Sequence, residues 1–534
     1  MREMNMRTCR ICGSDGVGFL YEVDSVAAKE KRRFHLCRAC ETVLDEIGTP
    51  PSYDSAEDNK AYNGQTYIRF YVEVGAGLHM LASLVALLRE TRHADAAVPR
   101  FLDVGAGFGF TVSIAAHQGW DAIGLEPSGM GRAGKQLLGV PLEPCYLEES
   151  GYAERSFDFI TSSEVIEHVT SPASFVETLS RYLKPDGVLA LTTPNGAPIR
   201  LRDAGDKEWY EALSPGYHMN LLSPKAMTLL LERAGFEDIR HFFTGGSSRT
   251  KHIVTLAAKR GGVIPASIDF ERTAGVVSAE ICASYLAHLV EAKRGRGELD
   301  SVYEGALFRL CELRLNSGDT RGAADACVAI DDLLEKRGLG INAFASVEAS
   351  TIEEYLEKVP AYAGMYSYCR GMLLLNSTQQ HLDSARCFEV AAHLFRVEQR
   401  VGAFARVLWP ERAELHQGMA LIKAGNRREA IALLNKLVER SSEVGREIAE
   451  SAIWNKAVAH LQLGDDQIAF SMFMELFLRQ TDAVSPDARR SAQHAFLAIA
   501  QMLRRSADAD TAQQRTLASI VARLDAIERS LREK

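Results

Sequence analysis

The sequence offers little that would carry the chain to a membrane or a nucleic acid. Its 534 residues hold 61 Lys plus Arg against 70 Asp plus Glu, a formal charge of −9. Neither half has the basic excess that gives general affinity for nucleic acid or anionic lipid. The most apolar stretch, Leu78–Leu88, is only about half as long as a bilayer-spanning helix. The opening MREMNMRTCR lacks the apolar core of a secretion signal. These absences give the expectation of a soluble, cytoplasmic protein. Hydrophobic residues at 46% and charged residues at 25% exclude a disordered or fibrous chain, and the length exceeds what one core serves.

The ten cysteines do not form the evenly scattered pairs of a secreted disulfide framework. Four stand as Cys9-x2-Cys12 and Cys37-x2-Cys40, with 24 residues between the pairs. The other six (Cys145, Cys282, Cys311, Cys327, Cys369 and Cys387) are isolated and read as small buried hydrophobes. Two C-x2-C knuckles supply four thiolates for a tetrahedral, structural Zn²⁺ with no open position. His35 is an alternative ligand in place of one cysteine. The basic run Lys29–Arg33 lies between the pairs; without interleaved aromatics it reads as a solvated hairpin tip.

The rest divides by pattern. Residues 51–98 form a lead-in with a helical run from Tyr67 to Leu88. From 99 to 260 strand and helix signals alternate, implying a parallel sheet with crossover helices. The strand candidates are Phe101-Leu102, Ala122–Leu125, Phe157–Ile160 and Val188–Leu191, with a helix from Pro172 to Leu183. Ser223-Pro224 is a helix start and Gly235 its stop. Two β-like runs, Asp238–Phe243 and His252–Ala258, then close the domain as an antiparallel pair. After a linker at 261–270, residues 271–534 are helical and repetitive. Gly318-Asp319-x3-Ala323, Gly425-Asn426-x3-Ala430 and Gly464-Asp465-x3-Ala469 share one pattern, and Asp383-Ser384-Ala385 is a degenerate copy. Successive alanines lie 62, 45 and 39 residues apart, against about 34 for a tetratricopeptide repeat. The expectation is a TPR-like α-solenoid that presents a surface to a protein partner or to its own kind. Leu517, Ile520, Leu524, Ile527 and Leu531 fall on one helix face, too short for a coiled coil, and read as a capping helix.

The chemistry lies in Phe101-Leu-Asp-Val-Gly-Ala-Gly-Phe-Gly109. A strand ends at Asp103, and Gly105, Gly107 and Gly109 turn the chain into a helix while letting backbone approach a ligand. Glu126 ends the next strand, where a carboxylate can accept both ribose hydroxyls. Asp103 would repel a dinucleotide pyrophosphate and suits an ammonium group. With Ser156-Phe-Asp-Phe-Ile160, Glu164-Val-Ile-Glu-His-Val169 and Leu183-Lys-Pro-Asp-Gly-Val-Leu189, the region resembles class I S-adenosylmethionine-dependent methyltransferases, motif by motif and in order.

The resemblance implies a Rossmann-like sheet over residues 99–260 and a methyltransferase activity. It places Asp103, Gly105 and Gly107 at the methionine part of the cofactor and Glu126 at the ribose. Adenine recognition falls to Tyr146 or Leu147, with Glu148 the alternative if the loop is shifted, because the usual acid is absent there. Ser162, after the fourth strand candidate, is the last of the expected cofactor-binding residues. His168 and His218 are the catalytic candidates: His168, common at this point of the family motif, is read as structural or on the cofactor side, and His218 as base or acceptor contact or else a structural loop histidine, within a His-x4-Ser element that resembles sugar-modifying relatives, although Tyr217 replaces their usual Glu. Relatives with an N-terminal zinc module suggest a small polar or sugar-containing acceptor, such as a nucleotide sugar or surface glycan. A protein-binding scaffold with a cofactor-sensing or vestigial sheet domain, and a protein methyltransferase recruiting substrate through the repeats, are the other readings. A nucleic-acid substrate is disfavoured.

Overall fold

The structure is a computed structural model; it describes residues 8–25, 30–47, 65–75, 77–92, 97–199, 210, 212–244, 252–376, 379–402 and 408–480. The C-terminal capping helix expected around 517–531 lies outside the described residues. Two compact units are present, Met1–Leu313 and Arg314–Lys534. The division falls after Leu313 rather than in the expected linker at 261–270.

The first unit opens with strands β1 (Val17–Asp24), β2 (Lys31–Cys37) and β3 (Val43–Asp45). Two helices follow, α1 (Gln65–Val74) and α2 (Leu78–Glu90). The expected single helical run is broken between them, where Gly75 and Gly77 adopt positive φ. Next come β4 (Arg100–Val104), α3 (Phe110–His117), β5 (Asp121–Leu125), α4 (Gly129–Leu138) and β6 (Leu142–Glu143). The domain continues with β7 (Phe157–Ser163), α5 (Pro172–Tyr182), β8 (Leu183–Pro194), β9 (Asn220–Leu221) and α6 (Pro224–Arg233). It closes with β10 (Asp238–Thr244) and β11 (His252–Ala258). All four strand candidates and both terminal β-runs therefore lie in strands.

Seven strands form one sheet in the order β10-β11-β8-β7-β4-β5-β6. β6 through β8 run parallel, and β11 and β10 return antiparallel. The apolar runs in β4, β7 and β8 are buried because helices cover both faces of the parallel part. β4 lies at the point where strand order reverses, so its C-terminal end opens onto the crevice where such sheets bind ligands. Ser223 caps α6 as expected, its hydroxyl accepting the Ala226 N–H at 3.1 Å.

A second sheet runs β1-β2-β3-β9. Its fourth strand belongs to the downstream domain: Val43 pairs with Leu221 and Leu44 with Asn220. Arg10 locks the seam, donating from Nε to Asn220 Oδ1 at 2.7 Å, from Nη1 to the Asp45 carbonyl at 3.0 Å and from Nη2 to the Met219 carbonyl. Arg233 donates to the Ile11 carbonyl at 2.9 Å, and Ser223 Oγ to the Cys40 carbonyl at 2.6 Å. The described part of the basic run is solvated only at its start, where Lys31 is exposed at the hairpin end of β2. Arg32 is buried beside Asp45 and Glu30, while Lys31 and Arg33 pair with Glu22 and Glu46.

Two helices expected in the repeats group with the sheet, α7 (Ser278–Arg296) and, as far as Leu313, α8 (Ser301–Asn316). The run Phe270–Arg296 is long and apolar enough, by length and composition alone, to cross a membrane. Here Ile281, Cys282, Tyr285, Leu286 and Val290 are buried in the unit. Ser83 Oγ donates to the Ala274 carbonyl at 3.3 Å, and His117 Nε2 lies 2.9 Å from Ser284 Oγ.

The second unit is helical. Gly318, Gly425 and Gly464 share a left-handed turn, and Ala323, Ala430 and Ala469 are fully buried in the helices that follow. The irregular period has a structural cause. Short helices at Ile341–Phe344 and Ile352–Lys358 lengthen the first interval, and a single turn at Ser441–Val444 lengthens the last.

Candidate functional site

The two C-x2-C turns fold alike. The residue after each second cysteine, Gly13 and Glu41, takes a positive φ and donates its N–H to the carbonyl of the first cysteine at 2.8 Å. The turns bring Cys9 Sγ to 3.7 Å from Cys40 Sγ and Cys12 Sγ to 3.5 Å from Cys37 Sγ, all four within 4.8 Å of one another. A tetrahedron with Zn–S bonds of about 2.3 Å has edges of about 3.8 Å, so the thiolates fit Zn²⁺ without rearrangement. His35 is not part of this cluster; it is buried edge-on to Phe19 at 5.9 Å, with Nε2 3.8 Å from Glu46.

A cavity of about 680 Å³ opens at the ends of β4, β5 and β7. Of the expected cofactor residues, Asp103, Gly105, Gly107, Glu126, Tyr146 and Leu147 all line it, as does Glu148. Asp103 is buried and accepts the Thr161 hydroxyl at 2.6 Å. Burial lifts its pKa to about 6, with Glu126 adding to the lift and the Thr161 and Thr111 hydroxyls opposing it. Glu126 receives the Gly107 N–H at 3.0 Å and the Ser128 N–H at 2.9 Å, fixing the glycine turn to the following loop. Gly105, at φ +75°, has room for nothing more: a Cβ there would lie 2.4 Å from Val165 Cγ2.

Ser162 does not line the cavity. Its hydroxyl ties β7 to β4 by donating to the Val104 carbonyl at 2.8 Å, and the lining residue is Ser163. Cys145, expected in a core, is half-buried and lines the wall. Tyr71, Gly77, Met80 and Leu81 of the lead-in also reach the cavity. The sequence carried no signal for this beyond their helical spacing.

His168 lines the cavity and His218 does not, but their rings meet edge to face at 4.7 Å. The contact has a backbone cause: the Glu167 carbonyl accepts the N–H groups of Met219 and Asn220 at 2.8 and 3.1 Å. Each imidazole donates its Nδ1–H to a main-chain carbonyl, His168 to Tyr217 at 3.0 Å and His218 to Ala212 at 2.9 Å. Burial holds both neutral, lowering His168 to about 4 and His218, with His168 beside it, to about 3. Ser223, the partner in the expected His-x4-Ser element, serves as helix cap and Cys40 contact instead. Sequence reasoning quoted Glu167 and Glu164 as motif letters without giving either a role. Glu167 is fully buried, and burial together with Glu164 raises its pKa well above the ordinary range. Glu164 pairs with His252 at 3.0 Å; burial works against charge on that imidazole, but the pairing raises its pKa on balance.

The residues present fit S-adenosylmethionine. A buried carboxyl faces the cavity, hydrogen-bonded by two threonine hydroxyls and with Glu126 as its charged neighbour, which suits a cationic ligand, and the glycine turn leaves backbone exposed beside it.

Residues 77–241 match the family model "Methyltransferase domain". The ubiquinone biosynthesis O-methyltransferase of Dinoroseobacter shibae is 29% identical over 150 residues, covering 26% of this chain and 60% of that protein. The protein of the same name from Rhodopseudomonas palustris is 32% identical over 145 residues, covering 23% and 57%. The chain thus spans little more than half the length of these curated relatives. Among solved structures, an S-adenosylmethionine-dependent methyltransferase from Mesorhizobium loti is 21% identical, covering 32% of this chain and 94% of that one, with a TM-score of 0.27. Phosphoethanolamine N-methyltransferase 2 of Haemonchus contortus is 17% identical, covering 46% and 69%, with a TM-score of 0.32. With the family match, the motif order and the strand order in agreement, residues 77–241 are a class I S-adenosylmethionine-dependent methyltransferase domain.

Proposed function

We propose that the protein transfers a methyl group from S-adenosylmethionine to an oxygen of a small polar acceptor, with sugar-containing compounds the first class to try. The observation that carries this reading is the meeting, in one cavity, of Asp103, the glycine turn and Glu126 with the Glu164–His168 segment. The O-methyltransferase names of the curated relatives support oxygen as the acceptor atom.

The cofactor, when bound, supplies an activated methyl group on a sulfonium. Asp103 would hold the methionine ammonium. Glu126 would take the ribose hydroxyls while keeping the loops braced, and Tyr146 and Leu147 would flank the adenine. Methyl transfer of this kind mainly requires alignment and exclusion of water. Tyr71, Met80 and Leu81 would close the cavity from the lead-in side, and His168, which lines the wall where His218 does not, would contact the acceptor. The four cysteines would hold Zn²⁺ as a staple for the strands that abut the His218 segment.

Calorimetric titration with S-adenosylmethionine and S-adenosylhomocysteine tests the reading. Both should bind, and Glu126→Ala should weaken them by about 1–3 kcal/mol, the cost of leaving buried polar partners unpaired. A folded, zinc-loaded chain that binds neither refutes the proposal.

A further inference from the structure

Glu164 lines the cavity but takes no part in the proposed cofactor contacts. It directly follows β7, which pairs with β4, the strand of Asp103. Its neighbour Val165 lies against the glycine turn, where a Cβ on Gly105 would collide with Val165 Cγ2. Glu164 therefore stands beside the stretch proposed to hold the methionine part of the cofactor. The backbone is held there against its own preference. Its φ is +56°, a left-handed conformation that costs a residue with a side chain and persists mainly at functional sites. Three contacts fix this posture. The Glu164 N–H donates to the Thr192 carbonyl at 3.1 Å. Oε1 accepts the Thr192 hydroxyl at 2.8 Å, and Oε2 lies 3.0 Å from His252 Nε2. His252 does not line the cavity, so the carboxylate rather than the imidazole faces a ligand.

The methyl donor and its product differ by one charge. S-adenosylmethionine carries a sulfonium and S-adenosylhomocysteine a neutral thioether, while both keep the ammonium, the ribose and the adenine. Asp103, matched to the ammonium, serves the two alike. Glu126 is engaged by the N–H groups of Gly107 and Ser128. A further carboxylate in a cleft acts on the one charge that differs, and does so through the field without direct contact. Resting on the methyltransferase reading, we propose that Glu164 makes the site prefer the sulfonium donor over its uncharged product. His252 moderates the preference, because a protonated imidazole paired with Glu164 offsets part of its charge. A chain surrounded by spent cofactor can then reload with fresh donor.

The test is calorimetric titration of the full, zinc-loaded chain with each ligand at about pH 6, where His252 is charged. The quantity read is the ratio of the two affinities, which cancels any effect common to both. Glu164→Gln keeps the shape of the side chain and removes its charge. It should lower the preference for S-adenosylmethionine about three- to fivefold, the worth of a half-exposed ion pair, with S-adenosylhomocysteine affinity unchanged. His252→Gln keeps a donor for Oε2 and removes the opposing charge, so it should raise the preference by about twofold or more. A merely structural role moves both ligands together and cannot give opposite signs. An unchanged ratio in Glu164→Gln, equal weakening of both ligands, or shifts of the same sign in the two variants overturns the proposal. Should Glu164→Gln fail to fold, His252→Gln decides: a raised preference sustains the proposal, and an unchanged or lowered one overturns it. A folded parent chain that binds neither ligand removes the methyltransferase reading itself, whereas binding of both with a ratio blind to Glu164 removes this proposal alone.

Discussion

Replacing Asp103 with Asn should make the unliganded protein more stable and its cofactor site worse. The carboxyl is 2% exposed at the end of β4, and its pKa is lifted to about 6 from an ordinary 3.8, by burial first. A folded-state value above the unfolded one means that the fold favours the neutral acid. Stability is then complete below the unfolded value and is lost as pH rises through about 6. The loss corresponds to about 3 kcal/mol at pH 8 and about 1 kcal/mol at pH 4.5. Asparagine keeps an acceptor for the Thr161 hydroxyl and cannot ionise. Calorimetric unfolding of the ligand-free chain should therefore show the variant gaining up to about 3 kcal/mol at pH 8, and much less at pH 4.5. The relevant transition is the one that S-adenosylhomocysteine shifts in the parent. Titration at pH 8 should show affinity for that ligand falling by about 10- to 150-fold, the worth of a hydrogen bond to a charged group. Equal stability at both pH values, or unchanged affinity, would refute the assignment of Asp103 as the buried counter-charge.

Two further perturbations probe the supports of the site and the helical unit. Arg10→Ala removes three hydrogen bonds across the β3–β9 seam. It should destabilise the first unit by about 2 kcal/mol and lower turnover, while zinc content and S-adenosylhomocysteine affinity stay unchanged; an unshifted melting temperature would show that the seam does not brace the His218 segment. Gly418→Leu adds atoms where a Cβ would already lie 2.7 Å from Leu434 Cδ2. It should cost the second unit about 1–3 kcal/mol without touching cofactor affinity, and undisturbed denaturation would contradict the close helix packing.

Where local chemistry sets the structure, the sequence was readable. Ser223-Pro224 caps a helix because its hydroxyl and ring act within one turn, and each strand candidate was an apolar run between turn residues. Asp103, the glycines and Glu126 were readable because sheet topology places consecutive loops at one edge. What stayed hidden depends on distant pairing. His218 reaches His168 only because the Glu167 carbonyl takes two N–H groups from residues 219 and 220, and no spacing rule encodes that. Ser162 and Ser163 differ by one position on a strand, which decides between a β4 tether and the cavity wall. The helices from 278 to 316 share the composition of the repeats, so composition alone could not assign them to the sheet domain.

The seam between β3 and β9 also has a consequence for synthesis. Both cysteine pairs and three strands of the small sheet leave the ribosome by residue 45, but the fourth strand lies at Asn220–Leu221. At about 5–20 residues per second, the nascent chain carries an open β3 edge for about 10–35 s before its partner emerges. An unpaired edge is a template for the wrong strand. Zinc taken up early by the proposed four-cysteine site would hold these strands together during that interval, and the yield of correctly folded chains should then follow metal supply as well as final stability.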